Sequence, residues 1–311
     1  MKRILESFKN LYKGPDVVKT HLLLAAMFII PGLLGATSQF LDKEFKEYLI
    51  PILIVVGVLL ILSTIPALFV SGYYIKFMNK RFYEPIGIPN MDLDCFVQGV
   101  KVLPLYIVWC LYIGIPVLLY VAAIIGGVIF YLSTKPDDIF AILAIVVMFG
   151  LLLLLFIPIF LISPFVSGVY ITYAKDIKYS RELFNPFIYF GYMKKAFKEL
   201  IFVALRFFVV SIVGSFVVQI VGLVAFLLIM IVAAICLIFA SGTESNNVFT
   251  PASIVIIIFL GALVGLVQGY VTQIVAFAYS DNLIEVYKEK GIISLEDSCQ
   301  NTPDEGLNSQ E

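Results

Sequence analysis

The sequence predicts an all-α polytopic membrane bundle: six transmembrane helices with interfacial amphipathic helices, set out as three pseudo-repeated hairpin units. Three observations carry this. Hydrophobic residues make up 61% of the chain and charged residues 14%, against about 25% charged in soluble domains. Six apolar runs are long enough to cross a hydrocarbon layer of about 30 Å. The phrase Phe69-Val70-Ser71-Gly72-Tyr73-Tyr74-Ile75 returns 96 residues later as Phe165-Val166-Ser167-Gly168-Val169-Tyr170-Ile171, and each copy closes an apolar run where the first cations appear. Leu266-Val267-Gln268-Gly269-Tyr270 is a weaker echo. Repetition at equivalent points of membrane-length segments marks a unit used more than once.

The runs lie at about Val18–Phe40, Tyr48–Ile75, Leu103–Leu132, Ile139–Tyr170, Leu200–Ala240 and Ala252–Tyr279. The fifth is too long for one upright helix and contains Arg206, so its membrane part is placed at Phe207–Ala240. An amphipathic stretch precedes each odd-numbered run. Ile4, Leu5, Phe8, Leu11 and Tyr12 share one helical face in the first. Leu93, Phe96, Val97 and Val100 do so in the second, and Met193, Ala196, Phe197 and Leu200 in the third. Cations and carboxylates occupy the opposite faces, the pattern of a helix lying flat at an interface. The competing reading is a plain extension of the following span. Each unit is then interfacial helix, membrane helix, turn, membrane helix, over about 1–84, 85–182 and 183–290. The units run parallel, unlike the inverted repeats of many transporters. Residues 1–290 form one six-helix domain on this reading, and the acidic stretch 291–311, with Pro303, reads as a disordered cytoplasmic tail.

Orientation follows from lysine and arginine. Eighteen fall on the side of the N-terminal arm and of the stretches after the second, fourth and sixth runs; only Lys43, Lys46 and Lys135 fall on the other. Both termini are therefore expected in the cytoplasm, in the cell membrane. The first run reads as a retained span rather than a cleaved signal peptide. Cys95, Cys110, Cys236 and Cys299 have no metal-ligand spacing and read as plain apolar residues.

The stretches Ser71-Gly72-Tyr73-Tyr74-Ile75-Lys76, Gly87-Ile88-Pro89-Asn90-Met91-Asp92 and Gly99-Val100-Lys101 resemble a family of uncharacterised prokaryotic, often archaeal, multi-pass membrane proteins, domain of unknown function 4013. Ser7-Phe8-Lys9, Gly14-Pro15-Asp16, Tyr173-Ala174 and Phe184-Asn185-Pro186 fit the same pattern, and Met91 stands where such proteins often have an aromatic residue. The resemblance implies a six-helix membrane protein over about 1–290 and carries no activity or functional residue.

Chemistry-bearing groups are sparse. His21 is the only histidine, and no metalloprotease, nucleophile-elbow or phosphate-loop motif occurs. No Asp or Glu lies inside the six runs, where coupled carriers usually place one. No cofactor and no metal is expected, and the chain reads as a non-enzyme. Arg206 reads as a cation snorkelling to the interface, or as a headgroup contact together with Lys194, Lys195 and Lys198. Ser211, Ser215 and Gln219 form one four-residue stripe; Gly261, Gly265, Gly269 and Gln273 form another, with Gln268 displaced from it. The two stripes are expected to pack on each other, a lined pore or homodimer seam being the alternative. Pro66, Pro116, Pro158 and Pro164 are expected to interrupt their helices. The expected partners are the bilayer with its anionic headgroups, a second copy, or other membrane or cytoplasmic proteins, and no nucleic acid. The leading function is a membrane protein that organises, senses or shapes the bilayer or anchors cytoplasmic partners. The alternative is a permease or channel component moving a small solute or lipid.

Overall fold

The computed structural model describes residues 2–14, 16–38, 49–84, 87–133, 138–240 and 249–293. All regular structure among them is helical: α1 (Lys2–Leu11), α2 (Val17–Ala26), α3 (Ile29–Ser38), α4 (Leu49–Tyr83), α5 (Leu93–Ser133), α6 (Asp138–Asp176), α7 (Pro186–Ala240) and α8 (Phe249–Glu289), with a 3₁₀ turn at Arg181–Phe184. Five segments are long and apolar enough to cross a membrane: Val17–Leu34, Leu53–Tyr83, Leu93–Tyr131, Pro186–Val224 and Phe259–Glu289. The chain is a multi-pass integral membrane protein. The fourth apolar run lies in α6, whose side chains 152–163 are outside the described residues, as are the tail from 294 and most of the turns between spans.

The first run departs from expectation. It is two short helices, broken at Met27 and Phe28. Pro31 supplies the reason: its ring would clash with the Met27 carbonyl, and it has no N–H to donate. The prolines expected to interrupt helices do not, since helix runs unbroken through Pro66, Pro116, Pro158 and Pro164. Membrane helices tolerate such residues where neighbours satisfy the freed backbone groups. The one non-helical residue recorded inside a long helix is Ala196, at φ −130° and ψ 26°.

That break bears on the amphipathic stretches. α1 is a separate helix, set off by positive φ at Gly14 and Asp16. The third stretch carries a break inside it, at Ala196, between Met193 on one side and Phe197 and Leu200 on the other. The second is continuous with α5 and so is the plain extension, because nothing between Leu93 and Lys101 stops the helix.

α4 at 35 residues and α5 at 41 reach roughly 50–60 Å at 1.5 Å per residue, well beyond the hydrocarbon thickness. The excess has a consistent place. In α4 the large apolar side chains from Ile50 to Ile65 are mostly exposed, whereas Tyr73, Ile75, Phe77, Met78 and Phe82 are buried. In α6, Ile142–Leu151 is mostly exposed, and burial resumes from Pro164. α8 is exposed at Phe259 and Leu263 and buried from Ile274 to Tyr287. The repeated phrase therefore stands where lipid-facing helix becomes protein-packed helix.

The chain groups into two compact units, each drawn from distant stretches of sequence. One comprises residues 1–77, 86–104 and 205–279; the other comprises 78–85, 105–204 and 280 onward. Helix ends in the second unit are capped from elsewhere in it. The Asn79 amide donates to the Ala174 and Lys175 carbonyls (2.7 and 3.1 Å), and the Tyr83 hydroxyl donates to Lys175 (3.2 Å), closing α6. Lys288 Nζ donates to the Arg81 and Phe82 carbonyls (3.2 and 2.9 Å), closing α4. A cation at a helix C-terminus also opposes the helix dipole. α8 ends on Gly291 at φ 58°, with the Ile292 N–H on the Tyr287 carbonyl and the Gly291 N–H on Lys288. This is the double-bonded stop that glycine favours.

Candidate functional site

The glycines of the repeated phrase make the closest approaches. A Cβ on Gly72 would overlap the Cys95 carbonyl and lie 2.5 Å from the Gly99 nitrogen; a Cβ on Gly99 would overlap the Leu68 carbonyl. Two facing glycines thus let α4 and α5 cross backbone to backbone. Phe69 packs on Phe96 beside them (5.3 Å). On the same unit Lys76 bridges Asp92 (2.9 Å) and Asp94 (3.2 Å). Burial would raise the Asp92 carboxyl, but the hydrogen bonds and charge of Lys76 and the bonds from Cys95 outweigh it and hold it below the usual range. In the second copy, a Cβ on Gly168 would lie 2.6 Å from the Tyr287 hydroxyl and 3.5 Å from the Tyr189 ring. In the third, a Cβ on Gly269 would overlap the Phe28 ring.

α8 presents two faces, which reassigns the predicted stripes. Gly265 lies against Gly32 (2.5 Å from a Cβ to the Gly32 Cα), and Gly32 against Ala262. The glycine stripe therefore packs on α3 and the turn before it, and not on the serine stripe of α7. The reason is steric: Gly32 has no side chain to hold the backbones apart, whereas Ser211, Ser215 and Gln219 would. The contact with α7 uses the neighbouring face. Gln268 donates to Ser215 Oγ (3.2 Å), Gly214 faces Val271, and Gly222 faces Val264. Gly214 and Gly222, about two turns apart, were the readable small-residue signal on α7. Ser211 and Gln219 are exposed, while Gly261 and Gln273 are half-buried.

His21 joins α1, α2 and α8. Its Nε2 is 3.1 Å from the Leu11 carbonyl, which can only accept, so Nε2 carries the proton. In the neutral ring Nδ1 then accepts from the Tyr270 hydroxyl (3.1 Å), and Tyr270 accepts from Tyr12 (3.3 Å). Tyr12 stacks on the imidazole at 4.7 Å. The arrangement is a hydrogen-bonded tie holding the end of the amphipathic helix, and every group in it has a structural duty.

In the second unit, the entry of α7 is fixed by an aromatic cluster. Trp109 Nε1 donates to the Leu183 carbonyl (3.0 Å), and its ring meets Phe165 and Tyr189 edge-on at 5.3 and 5.7 Å. Tyr189, Ala196 and Leu200 are buried; Lys194, Lys195, Lys198 and Arg206 are exposed. Phe197, grouped in sequence with Met193, Ala196 and Leu200 on one apolar face, is 52% exposed, as are Phe187 at 78% and Phe190 at 60%. Glu199 is paired with Lys290 at 2.6 Å. Burial is inverted at the start of α5, where Leu93 is 79% exposed while Gln98 is buried. Among the described residues no group of three potential metal ligands comes together. No protein-family model, no curated protein and no solved structure matches the chain.

Proposed function

We propose that this multi-pass protein organises, senses or shapes the bilayer, or anchors cytoplasmic partners, without catalysing a reaction. The observation that carries the reading is the inverted burial at the entry of α5: apolar Leu93, Val97 and Val100 face outward while polar Gln98 faces inward. That pattern is stable only where the surroundings are apolar. It supports bilayer contact down to the first residue of the α5 span, Leu93, which is the equipment of a protein that acts on lipid.

The finer architecture belongs to the same proposal: six spans in three parallel hairpin units, both termini cytoplasmic, in the cell membrane, as in the family of domain of unknown function 4013. Its support is the placement of the three repeated glycines. Gly72 meets the entry of α5, Gly168 meets Tyr189 in the entry of α7, and Gly269 meets Phe28 of the first span. Two of the three exit glycines thus face a segment that opens another unit, and the third faces the first membrane run. Orientation is supported by the asymmetry of eighteen cations against three.

Liposome flux against empty vesicles tests the functional reading. No solute-specific flux is expected, and such flux would replace the reading with a permease or channel component. The bonding of Gln268 to Ser215 weighs against a water lining at that position.

A further inference from the structure

We propose that the outward face of the α7 entry is a binding surface for anionic phospholipid headgroups, with Phe187, Phe190 and Phe197 at the acyl boundary and Lys194, Lys195 and Lys198 at the phosphates. This rests on the bilayer reading above and names its lipid partner. Phe187, Phe190 and Lys194 follow i, i+3, i+7 on the helix before Ala196 and so share one helical surface; Phe197 and Lys198 follow directly after the break and are exposed as well. Three outward phenylalanines require an apolar medium, and three adjoining lysines require an anionic one. The boundary of an anionic leaflet supplies both within a few ångströms.

Two further features fit this partner. The opposite face is anchored through Tyr189, Ala196 and Leu200, with Trp109 edge-on to Tyr189, so the surface is held in place before lipid arrives. The break at Ala196 separates the segment before it from the crossing part of α7, so the entry can take its own direction along the interface. Three cations near an anionic leaflet strengthen attachment by on the order of a hundredfold before salt screening.

The test places the full-length protein in nanodiscs of phosphatidylcholine alone or mixed with phosphatidylglycerol, and reads hydrogen exchange over residues 186–200. Exchange should slow at least about tenfold in the anionic discs, and the protection should disappear in high salt. The triple variant Lys194→Gln, Lys195→Gln, Lys198→Gln should lose the lipid difference while Trp109, the sole tryptophan, keeps its emission as a record of folding. The salt titration of the unmodified protein stands independently of that variant. Inorganic phosphate with neutral discs should give no protection. Equal exchange in the two lipids, protection that persists in high salt, or protection by free phosphate would overturn the surface. Solute flux would overturn the functional reading and leave this surface standing.

Discussion

Alanine at Gly72 adds one methyl group, and the structure says what that methyl meets. It overlaps the Cys95 carbonyl and lies 2.5 Å from the Gly99 nitrogen and 2.8 Å from the Cys95 carbonyl carbon. All three are backbone atoms of a helix and cannot rotate aside. Restoring ordinary contact requires α4 and α5 to part locally by roughly 1 Å, a gap that forfeits a quarter to a half of the attraction of each atom pair it opens. Overpacking of this kind costs about 1–3 kcal/mol or more, against a gain of about 1 kcal/mol in helix propensity. The net expectation is a loss of up to about 2 kcal/mol. Gly57 is the control, since nothing lies within 4 Å of its Cβ; Gly57→Ala should be neutral or slightly stabilising. Gly168→Ala falls between. Its methyl meets the Tyr287 hydroxyl, a side-chain tip that can swing away at the cost of its bond to the Pro164 carbonyl, about 1 kcal/mol. Thermal unfolding in one detergent, followed by Trp109 emission, ranks the three. A Gly72→Ala protein that melts with the Gly57→Ala protein refutes the crossing.

Four other outcomes follow from named contacts. Gln268→Leu should lower stability by about 0.6 kcal/mol or more, whereas Gln219→Leu should not, because Gln219 is exposed with no partner among the described residues; matched melting curves decide it. Lys288→Met removes a charge-assisted cap from the end of α4 and should cost about 1.5–3 kcal/mol, with faster hydrogen exchange around Arg81–Tyr83. Tyr270→Phe breaks both hydroxyl contacts of the His21 tie, so exchange over residues 2–12 should rise while Trp109 emission stays constant. Asp92 has its carboxyl pKa depressed in the folded state. Its contribution is therefore present above the ordinary aspartate value near 4 and lost as pH falls through the folded value. The pair is half-exposed, so the loss should stay below about 1 kcal/mol; Asp92→Asn should remove that acid limb from melting curves recorded between neutral and acidic pH.

The helical class and the position of every long helix were legible in the sequence, because apolar runs and cation clusters are strong one-dimensional signals. The amphipathic faces were legible too, but not which way they turn. Helical periodicity separates Leu93 and Val97 from Gln98, yet the choice of lipid or protein for each face depends on neighbours brought in from distant segments. The glycine stripe of α8 was visible as a contact surface, and its partner was not: Gly32 lies more than two hundred residues away and gave no stripe of its own. Pro31, not singled out in the sequence, follows the break in the first run, whereas Pro66 and Pro164 break nothing. The stop after α6 had no local sign, since Ile177 takes φ 50°, a conformation that β-branched residues rarely adopt.

The change from exposed to packed side chains along α4, α6 and α8 has a mechanical consequence. The contacts that resist tilting are concentrated beyond the repeated phrase, where Gly72 and Gly99 lock backbones together. In α4 the apolar length before it, from Ile50 to Ile65, is mostly exposed. A bilayer thicker or thinner than the one that fits is then accommodated by inclination of that length, at fractions of a kcal/mol per ångström of mismatch, while the glycine crossing stays at a constant depth. The chain carries a fixed waterline and adjustable keels.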